Sequence, residues 1–264
     1  MSQMALITGA SGAIGKAIAR QLAERHGFEV VLACRNEEKA RQAVAEIQRA
    51  AGKGHARYEL VDVSRYSSIQ ALAARWQGPL HVLINNAAAS PRQRRETPEG
   101  IELQFATNVL GYFWMIQLFG ERLKAAAGAA PARIVNVASY WAGDLDRADL
   151  EFKRRQYNNG TAYRQSKQAD RMLTVAFAAR LKADGITVNA CHPGDVNSRL
   201  SNDLGFGGQT SPDEGADTPV WLATDPVGAQ ETGKYFEHRR AVRCQFGEDA
   251  TAVEALYEAC QAYT

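Results

Sequence analysis

Thr8-Gly9-Ala10-Ser11-Gly12-Ala13-Ile14-Gly15 joins a short apolar run, Met4–Thr8, to a stretch of helical period, Ala13–Arg25. Glycines at such a junction permit a tight turn and close packing of the helix on the strand. The unpaired backbone N–H groups at a helix N-terminus are a site where phosphate groups bind. A purely structural turn would look the same, but the position directly after the first strand favours binding of a dinucleotide pyrophosphate.

Short apolar runs alternate with longer helical patterns almost to the C-terminus. The predicted strands are Met4–Thr8, Glu29–Cys34, Ala56–Val61, His81–Ile84, Arg133–Ala138, Ile186–Cys191 and Lys234–Phe236. The predicted helices are Ala13–Arg25, Glu37–Ala51, Ser67–Trp76, Pro98–Lys124, Thr161–Ala183, Ser211–Ala223 and Ala250–Tyr263. Strands rich in Val, Ile and Leu are typical of a parallel sheet covered by helices on both faces. We therefore predict an α/β fold, a single doubly wound parallel sheet, and one domain over residues 1–264.

The composition is that of an ordinary globular protein. Of the 264 residues, 45% are hydrophobic and 23% are charged, and the formal net charge is +2. A charge this small gives no reason to expect nucleic acid or a membrane surface as a partner. The densest basic runs, Arg92–Arg95 and Arg239–Arg243, are short and interrupted, and we interpret both as solvated loops.

The cysteines and histidines show neither a disulfide framework nor a metal site. The four cysteines are far apart and form no Cys-x-x-Cys pair, which indicates a reducing compartment. The histidines have no metal-ligand spacing, and His192 is expected to shape a turn before Pro193. No basic and apolar leader precedes Met4, and no apolar run approaches the roughly 18 residues of a membrane span. We expect a cytoplasmic protein without a metal.

The second predicted strand ends in Cys34-Arg35-Asn36. A carboxylate at this point would accept a hydrogen bond from the ribose 2′-hydroxyl of NAD, whereas an arginine would pair with the 2′-phosphate of NADP. Glu37 and Glu38, which follow, fit the first turn of the next helix, where acids are favourable to the helix dipole. We therefore predict NADP (NADPH) as the cofactor in preference to NAD. The alternative is that Arg35 only caps a loop.

Tyr163 and Lys167 are four residues apart within a predicted helix. Residues at this spacing lie on one helix face about one turn apart, so the phenol and the ammonium can point into one site. A phenol with a pKa of about 10 exchanges protons poorly at neutral pH, and a neighbouring cation stabilises its ionised form. The pair suits proton exchange with a carbonyl or alcohol oxygen. Most such pairs are simply solvated, so the interpretation depends on the rest of the sequence.

These segments together resemble the short-chain dehydrogenase/reductase family over nearly the whole chain. The matching features, in chain order, are the glycine turn, Asp62-Val63, Asn85-Asn86-Ala87, Asn108, Ser139, the Tyr163/Lys167 pair, and Pro193-Gly194-Asp195-Val196-Asn197-Ser198. The resemblance implies a Rossmann-type fold. It also implies an oxidoreductase that transfers a hydride between nicotinamide and a carbonyl or alcohol substrate.

The resemblance further implies a role for each matching residue. Tyr163 would be the general acid in carbonyl reduction and the base in alcohol oxidation, and Lys167 would lower its pKa and hold the nicotinamide ribose. Ser139 would bind the substrate oxygen and stabilise developing charge, and Asn108 would position a water in a proton relay. The implied cofactor-binding residues are Gly9, Ser11, Gly12, Ala13, Ile14, Gly15, Arg35, Asn36, Asp62, Val63, Asn85, Ala87, Tyr163, Lys167, Pro193, Gly194, Val196 and Ser198.

The chain departs from the family pattern in three places. Ala13 replaces the middle glycine of the first motif, with Gly12 one place earlier, and this spacing resembles the extended branch that includes nucleotide-sugar epimerases. Ala88 stands where a glycine is usual, and Ser198 replaces a threonine. The chain is short for the extended branch, and its asparagine motifs resemble the classical one. An extended-type epimerase or dehydratase remains an alternative, as does a dinucleotide-binding sensor without turnover.

Several segments resemble the retinol-dehydrogenase-like members of the classical branch. They are Ala33-Cys34-Arg35-Asn36, Thr107–Phe113 and Gly233-Lys234-Tyr235-Phe236. An inserted run, residues 144–157, fits the same subgroup. Substrate contacts are expected from the loops Ala89–Arg95, Tyr140–Tyr157 and Arg199–Gly208. In these loops Tyr140, Trp141 and Phe206 suit a hydrophobic or aromatic small molecule.

Two of the predicted helices, Pro98–Lys124 and Thr161–Ala183, carry many large apolar side chains. These are Phe113, Trp114, Met115, Leu173 and Phe177. Family members often assemble through the corresponding helices, so a homodimer or homotetramer is expected. The inserted run could instead block such pairing and leave a monomer.

Overall fold

One eight-stranded sheet forms the centre of the computed structural model, which describes residues 2–52, 55–128 and 130–264. The strands are β1 (Met4–Thr8), β2 (Glu29–Cys34), β3 (Ala56–Leu60), β4 (Val82–Asn85), β5 (Ala132–Val137), β6 (Ile186–His192), β7 (Tyr235–Glu237) and β8 (Arg240–Val242). Their order is β3-β2-β1-β4-β5-β6-β7-β8. Strands β1 to β7 pair in parallel, which confirms the predicted doubly wound fold.

One strand that was not predicted, β8, extends the parallel sheet at one edge and pairs antiparallel with β7. The connecting residues, His238 and Arg239, both have positive φ, which is the geometry of a two-residue hairpin turn. Asn-Gly and Asp-Gly are the usual signals for such a turn, and this pair carries neither. The basic run that we interpreted as a solvated loop is therefore mostly an exposed edge strand.

Helices cover both faces of the sheet, as predicted. They are α1 (Ala13–His26), α2 (Glu37–Ala51), α3 (Tyr66–Arg75), α4 (Gly111–Ala126), α5 (Asn159–Leu181), α6 (Arg199–Asp203), α7 (Pro212–Gly215), α8 (Asp217–Thr224), α9 (Pro226–Gln230) and α10 (Ala250–Gln261). A π-helix, Phe105–Leu110, leads directly into α4. Helices α1, α2 and α8 bury their apolar sides against one face, and α3, α4, α5 and α10 against the other. Of the described residues, no helix has both the length and the apolar character that crossing a bilayer requires.

Two predicted helices have wrong boundaries. The helix predicted from Pro98 begins only after Glu102, whose carboxylate accepts hydrogen bonds from the backbone N–H groups of Gln104 and Phe105. That carboxylate acts as a cap, and the preceding residues turn back in a bridge between Glu96 and Glu102. The helix predicted over Ser211–Ala223 is divided into α7 and α8. The short helices α6 and α9 were not predicted.

Helix α10 packs against α5 and covers part of the apolar surface of the two helices. The ring of Tyr257 on α10 lies 5.1 Å from that of Phe113 and 5.3 Å from that of Phe177. We expected some of the five large apolar side chains to cover the sheet and others to be available for a subunit interface, but all five are buried within the chain. A homodimer or homotetramer would have to pair through other residues, so its formation remains a prediction.

Candidate active site

The glycine turn lies at the carboxyl end of β1, where the strand order reverses between β1 and β4. In open α/β sheets this is where ligands bind. Gly12 is the N-cap residue of α1, and no side chain of the described residues caps that N-terminus or places an acid in its first turn. The N–H groups of the first turn therefore remain available to an anion. The turn fits the pyrophosphate of a dinucleotide, as the sequence predicts.

The turn is packed tightly against the segment that follows β4. A Cβ at Gly15 would lie 2.6 Å from Nδ2 of Asn86, and a Cβ at Gly9 would lie 2.8 Å from Cα of Ala87. Thr8 Oγ1 accepts hydrogen bonds from the backbone N–H groups of Asn86 and Ala87, at 2.9 and 3.1 Å. Thr8 lies within the quoted turn and Asn86 within a matched motif, but the sequence did not predict the contact between them.

The Asn85 side chain points into the sheet. It is fully buried and donates a hydrogen bond to Oδ1 of Asn136, at 3.0 Å, which links β4 to β5. The Asn85 amide therefore stabilises the sheet. A cofactor could contact Asn85 only through its backbone atoms. Val63 is similarly buried, with its carbonyl close to Gly111.

Arg35 lies at the other end of the crevice, after β2. Its side chain is 73% exposed and its guanidinium is 4.0 Å from the carboxylate of Asp62, so it is free to meet a phosphate. Asn36 caps α2 by accepting a hydrogen bond from the N–H of Lys39, at 2.9 Å. One oxygen of Asp62 accepts hydrogen bonds from Ser64. Of the predicted adenosine ligands, Arg35 is the one with an unengaged side chain.

Helix α5 brings Tyr163 and Lys167 together, as their spacing predicts. Both side chains are buried, and Lys167 Nζ lies 5.8 Å from the centre of the Tyr163 ring. Nζ donates hydrogen bonds to the carbonyl oxygen of Val137 and to Oδ2 of Asp170, both at 2.9 Å. Asp170 was not predicted from the sequence.

Ser139 follows β5 and faces the phenol. Burial raises the pKa of Tyr163 above its ordinary value, while the positive charge of Lys167 and a hydrogen bond with Ser139 act in the opposite direction. Ser139 Oγ also accepts a hydrogen bond from the N–H of Trp141, at 3.1 Å. The buried guanidinium of Arg171, which stacks 3.5 Å from the centre of the Tyr235 ring, donates to the Ser139 carbonyl. Arg171 was not predicted, because only the fold places it there.

Asn108 lies within the π-helix and contacts α5, the helix that carries Tyr163 and Lys167. Its amide accepts a hydrogen bond from the N–H of Ala89, at 2.8 Å, and donates to the Ala89 carbonyl and to Ser166 Oγ, both at 3.1 Å. These contacts tie the loop after β4 to α5. Because these contacts occupy the Asn108 amide, a water in the predicted relay would have to form its hydrogen bond with the backbone of Asn108. Local π-helices are frequent at functional sites.

The segment Pro193–Ser198 follows β6 directly, at the carboxyl edge of the sheet. Val196 is buried and forms a parallel bridge with Thr210, which draws the segment towards α7. Ser198 caps α6 by accepting a hydrogen bond from the N–H of Ser201, at 3.1 Å. Its hydroxyl therefore has a structural contact that the sequence did not predict. Gly194 and Pro193 remain partly exposed beside it.

Three aromatic side chains surround the entrance to Tyr163. The Trp141 ring lies 6.0 Å from the Tyr163 ring, and the Phe206 ring packs edge-on against Trp141 at 5.8 Å. Tyr140 packs edge-on against His192 at 4.8 Å. Tyr140 and Phe206 are half exposed, so the entrance is apolar but open to solvent.

The family model for short chain dehydrogenases matches residues 3–205. The chain belongs to the short-chain dehydrogenase/reductase family. It is 35% identical to retinol dehydrogenase 13 of Homo sapiens, over 88% of this chain and 75% of that protein. It is also 35% identical to a Streptomyces antibioticus protein named "Probable oxidoreductase", over 93% of this chain and 88% of that one. These findings confirm the resemblance to the family and to its retinol-dehydrogenase-like members.

Solved structures of the family share the fold. An uncharacterized protein of Mycobacterium Paratuberculosis is 29% identical, with a TM-score of 0.81 over 98% of this chain and 93% of that chain. The RhlG/NADP active-site complex of Pseudomonas aeruginosa is 26% identical, with a TM-score of 0.72 over 89% of this chain and 94% of that chain. An actinorhodin polyketide ketoreductase with NADPH is also 26% identical, with a TM-score of 0.68 over 94% of this chain and 98% of that chain.

The run inserted before the family tyrosine, residues 144–157, is held by polar side chains. Tyr157 donates a hydrogen bond to the Pro91 carbonyl, at 2.9 Å, and accepts one from Gln104, at 2.8 Å. Glu151 accepts hydrogen bonds from the Glu102 N–H and from the hydroxyl of Tyr263, at 3.1 and 2.8 Å. The insertion is therefore attached both to the loop after β4 and to the C-terminus, and it forms one wall of the site.

Proposed function

We propose that this family member is an NADPH-dependent oxidoreductase that interconverts a hydrophobic or aromatic carbonyl compound and its alcohol. The observation that supports the proposal best is the cluster of Ser139, Tyr163 and Lys167, with Ser139 following β5 at the same carboxyl edge of the sheet as the glycine turn after β1. The chain thus brings a proton donor, its cation and a hydroxyl group together at the point where a dinucleotide would bind.

The chain's own residues would orient the substrate and deliver the proton. A bound nicotinamide supplies the hydride. In reduction, the Tyr163 phenol donates its proton to the substrate oxygen as that oxygen becomes negative, and in oxidation the phenolate takes the proton back. Ser139 donates a hydrogen bond to the same oxygen and stabilises its developing charge. Lys167 holds the ribose and favours the ionised phenol, which offsets part of the effect of burial.

An enzyme screen with one substitution tests this function. NADPH consumption is followed over aldehydes, ketones and quinones, with NADH in parallel. We expect turnover by the unchanged chain and a loss of about 100-fold or more in Tyr163→Phe, because proton transfer contributes that much to catalysis. Tyr66→Phe, on α3, is the control and should keep full activity.

Two outcomes would overturn the proposal. Full turnover by Tyr163→Phe would remove the tyrosine from the mechanism. Tight NADPH binding with no oxidation of it over the whole panel would favour the dinucleotide-binding sensor instead. The epimerase or dehydratase alternative has only the glycine spacing in its favour.

The preference for NADPH over NADH depends on Arg35. Its side chain is exposed beside the crevice, and two structurally similar family members are described with NADP or NADPH. We expect Arg35→Ala to weaken NADPH binding by roughly tenfold to 100-fold and to leave NADH binding unchanged, because hydrogen bonds to charged groups contribute about 1.5–3 kcal/mol. Fluorescence titration measures both affinities. Arg243→Ala, which removes an exposed arginine at the opposite sheet edge, is the control.

The expected substrate class follows from the entrance. Trp141 and Phe206 present aromatic surface next to the phenol, and planar or extended apolar molecules pack favourably on such rings. The names of the relatives, retinol dehydrogenase and polyketide ketoreductase, support a large apolar or aromatic substrate. We do not extend the proposal to retinol itself.

A further inference from the structure

The Lys167 ammonium has a partner that the family motifs do not include. Asp170, one turn further along α5, accepts a hydrogen bond from Nζ at 2.9 Å, and the two side chains are 2% and 0% exposed. Burial raises the pKa of the Asp170 carboxyl to about 6, which leaves it ionised at neutral pH. A buried ion pair therefore lies directly behind the proposed proton donor.

The pair determines where the ammonium points. An ammonium has three N–H donors. One goes to the Val137 carbonyl and one to Oδ2 of Asp170, so a single donor remains for the ribose of a bound nucleotide. The ring of Tyr112, with its centre 5.0 Å from Nζ, limits movement on another side. Side chains of this length are otherwise flexible, and their fixation costs entropy when a ligand binds.

The pair also changes the charge that the Tyr163 phenol experiences. A lone cation in contact with a titratable group shifts its pKa by about 1–3 units, and an anion in the same place acts in the opposite direction. The Asp170 carboxylate therefore counteracts the Lys167 ammonium at the phenol. The other ionisable groups around this cluster are Tyr112 on α4, Arg171 on α5, Cys191 on β6, Asp195 after β6 and Cys260 on α10.

Most of these neighbours are uncharged at neutral pH. Burial raises the pKa of the Tyr112 phenol and of the thiols of Cys191 and Cys260 above their ordinary values. The charged neighbours are Asp195, on the solvent side, and Arg171, which is bound to the Ser139 carbonyl. Asp170 is thus the anion in direct contact with the ammonium.

We propose that Asp170 is a positioning residue of the active site, which holds the Lys167 ammonium in place and moderates its electrostatic effect on the Tyr163 phenol. The proposal rests on the function proposed above, because it assigns to Asp170 a task in the chemistry of Tyr163. One carboxyl oxygen, Oδ1, has no hydrogen-bond partner among the described residues, so the carboxylate is held in this apolar surrounding chiefly by Lys167.

Titration of the phenol without cofactor tests the proposal directly. The ultraviolet absorbance of ionised tyrosine is measured against pH, and subtraction of the curve for the matching Tyr163→Phe variant isolates Tyr163. Asp170→Asn keeps an oxygen acceptor for Nζ but removes the negative charge. We expect Tyr163 to ionise about one pH unit lower in Asp170→Asn, and the pH profile of alcohol oxidation to move in the same direction.

Thr174→Val is the matched control. Thr174 is buried on the same helix, one turn beyond Asp170, and its hydroxyl donates to the Asp170 carbonyl at 2.7 Å. Its replacement lowers stability without changing a charge, so the Tyr163 titration should not move. An unchanged titration in a folded Asp170→Asn, verified by circular dichroism, would overturn the proposal. That result is independent of turnover, so it can be distinguished from a failure of the proposed function.

A second variant covers the case in which Asp170→Asn does not fold because Lys167 loses its counter-ion. Lys167→Met/Asp170→Asn removes both buried charges. Since the two charges oppose each other, we expect Tyr163 to ionise within about one pH unit of the unchanged chain. A larger upward shift of the Tyr163 pKa would show that Asp170 does not oppose the effect of the ammonium on the phenol, and the proposal would be wrong.

A third variant, Asp170→Ala, should weaken NADPH binding, because the Lys167 ammonium is no longer held in place.

Discussion

The two sides of the crevice are stabilised by different interactions. The cofactor side, from β1 to β4, is an apolar core closed by backbone contacts, such as those between Gly15 and the segment after β4. The substrate side carries the charges: among the described residues, every buried acid, lysine or arginine lies after β4. They are Glu102, Asp149, Glu151, Lys167, Asp170 and Arg171, and the buried His192 lies on this side too. We infer that the properties of the cofactor side depend on close packing. Those of the substrate side depend on electrostatics, and therefore on pH.

The largest effect expected on the cofactor side comes from one methyl group. In Gly15→Ala the new Cβ would lie 2.6 Å from Asn86 Nδ2 and 2.7 Å from the Gly9 carbonyl oxygen, so the turn must widen. Overpacking costs about 1–3 kcal/mol, and we expect NADPH affinity to fall by about tenfold to 100-fold at every pH. Gly120→Ala should bind normally, because among the described residues the new Cβ would meet no atom within 4 Å other than the adjacent backbone of its own helix. Unchanged binding by Gly15→Ala would break the comparison.

The two sides of the crevice also differ in how far the sequence could predict them. The glycine turn, the strands that flank it and the Tyr163/Lys167 spacing depend on residues close together in the chain, and each was predicted within a few positions. Asp170 and Arg171 look like ordinary polar residues of a helix until the fold buries them. The turn at His238-Arg239 lacks the residues that signal a hairpin. What could not be predicted depends on contacts between distant parts of the chain.

His192 gives a pH-dependent test of the substrate side. Burial lowers its pKa to about 4, whereas in the unfolded chain it would be near 6.5. The folded state resists protonation, so this contribution to stability is present above about pH 6.5 and is lost as the pH falls towards 4. It amounts to about 2–3 kcal/mol. The free energy of unfolding is measured with denaturant at pH 7 and at pH 4. Between these two pH values it should fall by about 2–3 kcal/mol less in His192→Gln than in the unchanged chain. Equal losses would mean that the fold does not lower the pKa of His192.

The smallest effect is expected at the surface of the substrate side, where neither packing nor charge dominates. Phe206 is half exposed, and its ring contacts Trp141 edge-on at 5.8 Å. An aromatic contact of this kind contributes about 0.5–1.5 kcal/mol, so Phe206→Ala should raise the KM for an aromatic substrate by up to about tenfold. NADPH affinity should not change, and stability should fall by no more than the loss of the contact with Trp141. Val242→Ala, which alters an exposed apolar residue on β8, should leave the KM, stability and NADPH affinity unchanged. If Phe206→Ala weakened NADPH binding instead, the loop would belong to the cofactor side, and the division between the two sides would have to be redrawn.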